Sequence, residues 1–356
     1  MSRPSKLVSI CVPTRNRADS LRESLVSICG QDYDSLDIVV SDNGSDDHTE
    51  AVVRDFERRD SRVRYIRHDR NIGLHANHNF CFDTARGEFI CIWHDHDERE
   101  ASTVSDYVAF LDQHPKVGVV CSDWDLINDR GEQIGVREHE VAAVTAGLDY
   151  IAQTIRSGRS SIGIPGAMVR ASALGRARFD PDAPIGFGDF PVWCRVAETW
   201  DIGHIHRRLW RWRQNAQSHS ARTIESIARD YDQNISAYCD AHIERWPGHR
   251  SLVAKWRVSL KRYLFWALAY EIGLSFRPAP RGDRSVDSPS VFEIMDYRLT
   301  PPQFESALSQ MRSYRTGFSE YAAYAAVAAL VRTGLTHPLA WAAAHREMMR
   351  TLLNLR

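Results

Sequence analysis

The sequence predicts an α/β protein: a mostly parallel sheet flanked by helices, followed by a helical C-terminal region. Three observations predict it. Short apolar, β-branched runs alternate with amphipathic stretches over roughly the first hundred residues, the pattern of βαβ units. Each of three runs ends in a polar cluster: Thr14-Arg15-Asn16, Asp42-Asn43 and Asp95-His96-Asp97. From residue 224 onward the pattern is helical, with an apolar stripe through Trp256, Leu260, Tyr263, Leu264 and Ala267.

Residues 7–12 form the first apolar strand, and Pro13 to Asn16 a turn. Ser20 and Glu23 have capping-box spacing, and Leu21, Leu25 and Ile28 share a helical face that Gly30 closes. Residues 37–41 read as a second strand, 49–58 as a helix and 63–67 as a third strand. A turn at Asn71-Ile72-Gly73 leads into a helix over 74–86. The run Phe89 to Trp93, after Gly87, is a buried strand. Beyond Glu100 a helix is expected over 102–113, a strand over 117–122 and a hairpin over 124–134. A helix over 143–156, a strand over 162–170, a helix over 189–200 and an outer strand over 204–213 follow. Residues 276–290 read as a linker, and further helices run to residue 355. The expected domains are 1–222 and 223–356.

In an open α/β sheet, ligands bind outside the carboxyl ends of the strands, where these polar clusters converge. Asp95 and Asp97, two residues apart on a chain leaving the sheet, have the spacing to share one divalent cation and the phosphates it carries. No G-x-G-x-x-G follows the first strand and no G-x-x-x-x-G-K-[ST] occurs, which disfavours dinucleotide and P-loop folds. A net charge of −1 gives no reason to expect nucleic acid. No cleavable leader and no membrane span are expected. Seven scattered cysteines without a CxxC pair read as buried apolar side chains in a reducing compartment, not as a zinc cage.

The segments VSICVPTRNRADSLRESLVSI, DIVVSDNGSDDHT, RNIGLHANHNFCFDTARGEFICIWHDHDE and GFGDFPVWCRVAE carry a resemblance. Over about residues 7–220 the chain resembles the family 2 glycosyltransferases of the Rossmann-like GT-A fold. The resemblance implies a nucleotide-sugar donor, with UDP or dTDP favoured, Mn²⁺ or Mg²⁺, and transfer with inversion to a carbohydrate, glycolipid or metabolite hydroxyl. It places Asp95 and Asp97 at the family's DxD, with Asp97 a metal ligand and Asp95 a ribose or second metal contact. His96 between them would bias the site toward Mn²⁺ or point away. Asp42 takes the position that reads the nucleobase, or caps its own turn. Pro13 and Arg15 flank the base, with Thr14, Asn16 and Asn43 beside them in the donor loops. Asn71 touches donor or shapes a turn. Asp189 takes the catalytic-base position, or caps its helix; Gly188 stands where the family usually has glutamate. Arg213 and His219 match the arginine and loop that close over the diphosphate. The expected location is cytoplasmic, with the C-terminal helices serving the acceptor, a membrane surface or an oligomer contact.

Two other functions compete. His94-x-His96-x-Glu98 resembles the cluster of zinc hydrolases, a reading that leaves Asp42 and Asp189 without a role. An inactive sugar-nucleotide-binding regulator is the other, allowed by the glycine before Asp189.

Overall fold

The computed structural model describes residues 5–158, 160–184, 188–214, 224–275 and 301–316. His219, the linker over 276–290, the boundary at 222 and the chain beyond 316 lie outside the described residues. Contacts divide the chain into two compact units, residues 1–151 with 160–218, and residues 152–159 with 219–356.

The first unit opens with β1 (Val8–Thr14), α1 (Ala18–Cys29), β2 (Leu36–Asp42), α2 (Thr49–Arg59), β3 (Val63–Arg67), α3 (Leu74–Thr84) and β4 (Phe89–Ile92). β1 pairs in parallel with both β2 and β4, and β2 with β3, so the carboxyl ends of all four lie along one edge. β1 is buried at every position, as a strand covered on both faces must be. The Leu21, Leu25 and Ile28 face of α1 is fully buried in the same core as Ile10, Ile38 and Phe89. Each such side chain contributes about 1.5–3 kcal/mol by leaving water. The capping box at Ser20 does not form. The helix begins two residues earlier, and the Ala18 N–H is capped from another loop by Asp47 Oδ2 at 3.1 Å.

The unit continues with β5 (Glu98–Arg99), α4 (Thr103–Gln113), β6 (Val117–Ile127), β7 (Gln133–Arg137), β8 (Val144–Thr145), α5 (Gly147–Ser157), β9 (Met168–Arg170), α6 (Ala171–Leu174), α7 (Phe190–Ala197) and β10 (Asp201–Arg213). The final residues of α5 fall in the second unit. The main sheet runs β3-β2-β1-β4-β9-β6-β10-β5, with β7 on β6 and β8 on β10. This is the expected mixed, mostly parallel α/β sheet. Three local expectations differ. Residues 117–127 form one strand, not a strand and half a hairpin. The strand expected over 162–170 shrinks to β9, because Ile164–Gly166 forms a 3-10 turn. The expected outer strand, β10, lies between β6 and β5. Its polar residues suggested an edge, but they are partnered: Arg208 by Asp125, Arg207 by Asp106 and His204 by Asp123.

In the second unit, α8 (Ile224–Arg245), α9 (Arg250–Ser275) and α10 (Pro301–Ser313) pack on one another. Trp256, Tyr263 and Trp266, in the region expected to serve an acceptor, a membrane surface or an oligomer contact, are buried. Among the described residues no helix is long and apolar enough to cross a membrane.

Candidate active site

Thr14, Asp42 and the loop after β4 meet at the shared edge. The turns are stitched together by main chain: Asn43 N–H donates to Thr14 O and Trp93 N–H to Cys11 O, both at 2.9 Å. Asn16 adopts φ 54°, accepts from Asp46 N–H through Oδ1 and donates its own N–H to Ser45 Oγ. Pro13 is buried within β1, whereas Arg15 is exposed.

Asp42 is fully buried. Its Oδ1 accepts from Ser45 N–H and Ser45 Oγ at 2.8 and 2.6 Å, and its Oδ2 from Tyr65 OH at 2.5 Å. Asp42 therefore caps its own turn in this geometry. Asn43 holds the neighbouring loop, accepting from Ile72 N–H at 2.7 Å and donating to Gly73 O. Asn71 is exposed and caps the turn at Gly73, whose φ of 93° suits glycine. Asp42→Ala would leave three buried donors without their acceptor. We expect a loss of about 2–4 kcal/mol, seen as a lower urea midpoint at unchanged m-value.

Asp95 and Asp97 are also buried, and His96 between them is partly exposed. Asp95 accepts from Thr14 Oγ1 at 2.7 Å and pairs with Arg17 at 3.4 Å and His96 Nδ1 at 2.9 Å. His96 Nδ1 also lies 2.8 Å from Arg17 Nη1, so that nitrogen is held between a carboxylate and a guanidinium while Nε2 faces Asp97. His96 Nε2 lies 3.8 Å from Asp97 Oδ1, and His94 Nδ1 lies 3.9 Å from Asp97 Oδ2. The ligand atoms of His94, His96 and Asp97 all fall within 4.8 Å of one another. Asp95 thus orients His96, and the two histidines with Asp97 form the ligand-like set. Asp97 Oδ1 accepts from Arg213 N–H at 3.0 Å, while Oδ2 is buried without a hydrogen-bond partner. Burial pushes the Asp97 carboxyl above its ordinary range. A buried anionic oxygen without a donor beside two imidazoles fits a divalent cation.

Arg213 was expected to close over a diphosphate. It is instead buried, and all five of its side-chain N–H groups have partners: His96 O, Asn128 O, Asp129 O, Glu23 and Glu98. It pins the Asp95–Asp97 loop. Glu98, the third member of the H-x-H-x-E pattern, pairs with Arg211 and Arg213 and so turns away from His94 and His96.

Asp189 lies at the start of α7 but makes no side-chain capping bond. Its Oδ2 accepts instead from Ile164 N–H, in the 3-10 turn, at 3.3 Å. Burial raises its carboxyl to about 6. Gly188 is not a position with room for the usual glutamate: a Cβ there would meet the His75 ring at 2.4 Å. The same 3-10 turn accepts Arg99 Nη2 at Pro165 O, 2.6 Å away. Arg99 lies between the rings of Trp93 and Trp210, with Nη2 3.9 Å from Asp97 Oδ2. One short turn therefore connects the Asp189 and Asp97 sites.

Arg17, Arg99 and Tyr65 are supporting residues that the sequence reading did not single out. Arg17 directly follows the Pro13 to Asn16 turn, which is the one local signal it carried. Arg99 and Tyr65 carried none, because their partners are distant in sequence. Asn77 is locked on Ser41, and His78 is buried with neither ring nitrogen bonded.

A mixed, mostly parallel sheet with acidic and imidazole groups at its carboxyl edge and a separate buried carboxylate is the arrangement of a GT-A-like α/β fold. Residues 9–172 match the sequence model of glycosyl transferase family 2. Over that segment, less than half of its length, the chain is similar to glycosyl transferase family 2. It is 36% identical over 99 residues to the GalNAc(5)-diNAcBac-PP-undecaprenol beta-1,3-glucosyltransferase of Campylobacter jejuni, covering 28% of this chain and 32% of that protein. It is 24% identical over 210 residues to an uncharacterized glycosyltransferase of Methanocaldococcus jannaschii, covering 58% of this chain and 70% of that one. The matched stretch thus spans about a third of the Campylobacter relative. Among solved structures, TarS 1–349 of S. aureus in complex with UDP-GlcNAc aligns with TM-score 0.59 at 17% identity, covering 97% of this chain and 90% of that one. The mannosyltransferase PcManGT from Pyrobaculum calidifontis, in complex with GDP-Man and Mn²⁺, aligns with TM-score 0.54 at 18% identity, covering 97% and 87%. At those identities the likeness is one of fold.

Proposed function

We propose that this chain moves a sugar from a nucleoside-diphosphate donor to an acceptor hydroxyl with inversion, and that a UDP- or dTDP-sugar is the donor. The observation that carries this reading is the pair of separate carboxylate sites. One is Asp97, with an unpartnered oxygen at the sheet edge. The other is Asp189, raised to about 6 and held on a turn of its own. Departure of a nucleoside diphosphate develops negative charge, whereas attack by a hydroxyl needs a base on the opposite face of the sugar.

Asp97, with His96 and His94, would hold Mn²⁺ or Mg²⁺, the imidazoles favouring Mn²⁺. Such a cation would stabilise negative charge on the leaving diphosphate. Asp95 holds His96 in place and faces the ribose. Pro13, Arg15 and the loop around Asn16 and Asn43 form the nucleoside side, with Asn71 shaping its rim. Asp42 Oδ2, fully buried with Tyr65 OH and with Arg67 Nε at 3.9 Å, would accept an imide N–H of uracil or thymine only where the base displaces one of them. A soluble sugar, a glycolipid or a metabolite supplies the acceptor hydroxyl.

The zinc-hydrolase reading loses its third ligand, because Glu98 is held by Arg211 and Arg213. Thermal-shift measurements with a panel of nucleoside diphosphates test the proposal. We expect UDP or dTDP to raise the melting temperature only when Mn²⁺ is present. No shift with any nucleotide would overturn it.

A further inference from the structure

A second group of metal-ligating side chains lies on β6, β10 and the chain after β7, and no role in sugar transfer accounts for it. Asp123 Oδ1 accepts from the His139 main-chain N–H at 2.9 Å and meets two imidazoles, His204 Nε2 at 2.8 Å and His139 Nδ1 at 3.2 Å. The ligand atoms of all three residues lie within 4.8 Å of one another. On a tetrahedral zinc with bonds of about 2.0–2.1 Å, two ligand atoms stand about 3.3 Å apart. The two distances from Asp123 to the imidazoles are therefore near the spacing of a tetrahedral site.

Two independent features point the same way. The register of β10 on β6 slips opposite Asp123: Ile205 pairs with Ser122 and Arg208 with Asp123, leaving His206 and Arg207 as extra residues. Such bulges re-aim side chains. Here the bulge brings His206 Nδ1 to 4.0 Å from Asp123 Oδ2, with its ring 4.9 Å from that of His204. The second feature is outer support. His204 Nδ1 meets Cys121 Sγ at 3.3 Å, which fixes the ring with Nε2 toward Asp123. Cys121 Sγ also lies 3.0 Å from Ser161 O and 3.5 Å from Gly203 O, so the thiol faces backbone acceptors. The Trp124 ring, 4.8 Å from that of His139, walls one side.

We propose that Asp123, His139 and His204, with His206 as the fourth ligand, form a structural Zn²⁺ site separate from the site at Asp97. Its oxygen and imidazole donors suit zinc without any cysteine ligand. The metal would fasten the segment over 138–143 to the sheet. That segment already touches β10 through Ala143 O, which accepts from His204 N–H at 2.9 Å.

The test uses the full chain, purified without a histidine tag, stripped with chelator and titrated with Zn²⁺ alone. We expect one tightly bound zinc per chain that survives dialysis, and a cobalt(II)-substituted form with the visible absorption of a tetrahedral site. Asp97→Asn should retain that zinc. His139→Gln, at a half-buried loop position, should fold and lose on the order of 100-fold in zinc affinity or more. His206→Ala should lose less, because water can take the fourth position. Zinc should also slow proteolysis within 138–143 in the parent but not in His139→Gln. Absence of stoichiometric zinc in the parent, or equal zinc affinity in His139→Gln, would overturn the proposal. So would loss of the zinc in Asp97→Asn, since the metal would then belong to the other site.

Discussion

Asp189→Asn is expected to keep its fold and its affinity for nucleotide, and to lose about 100–10,000-fold in transfer to acceptor, the usual cost of removing a general base. Asparagine keeps the acceptor oxygen that Ile164 N–H uses, so the turn it holds should stay in place. The variant should be at least as stable as the parent above pH 6. The folded-state carboxyl titrates near 6 and the unfolded one near 3.8, so the native protein holds this proton more tightly. Stability from this group is greatest below the unfolded value and declines as pH rises to about 6. The neutral side chain escapes that decline. In the parent, the transfer rate should fall as pH drops below about 6, because the base is then protonated. The asparagine variant should lack that limb. Transfer at a near-parental rate would move the base elsewhere, and Asp182, exposed in the preceding loop, would be the next residue to replace.

The second large effect is expected at Asp97. Chelation of divalent cations should abolish transfer, and Mn²⁺ should restore it. Asp97→Asn keeps an oxygen for the Arg213 N–H and removes only the charge, so it is the cleaner variant; alanine also strands that N–H. We expect Asp97→Asn to lose at least about 100-fold in Mn²⁺-dependent donor affinity. Its melting temperature at neutral pH should hold or rise, because burial disfavours the native carboxylate. Asp95→Asn should lose less, since its role is to orient His96. Full activity in the presence of EDTA would remove the cation from the reaction.

Much of the sheet edge around β1, β2 and β4 was legible from residues alone. The apolar runs at β1, β2 and β4 and the polar residues that end them are local signals. A parallel sheet turns such signals into a shared edge without further information. The expectation that Asp189 is a base came from the family resemblance, not from a local pattern. What escaped detection depends on partners distant in sequence. The Arg213 guanidinium reaches Glu23, 190 residues away, so nothing around position 213 marks it as a buried pin. The capping box at Ser20 misled because Asp47, from another loop, caps the helix earlier. β10 looked like an edge strand because its charges find partners on β6 and α4, out of view of any local pattern.

The pin at Arg213 also bears on how the protein is made. Its main-chain N–H completes Asp97 and its side chain holds His96, across 116 and 117 positions of chain. Contacts of such span form late, after the entropy of closing the intervening loop has been overcome. During synthesis, β1 to β4 can assemble while the Asp95–Asp97 loop still lacks its clasp. A fragment restricted to the family-matched residues 9–172 would keep the sheet edge but carry that loop unlatched, and would lack Asp189 altogether. The Asp95–Asp97 loop is therefore clasped only once β10, the last strand among the described residues, is in place.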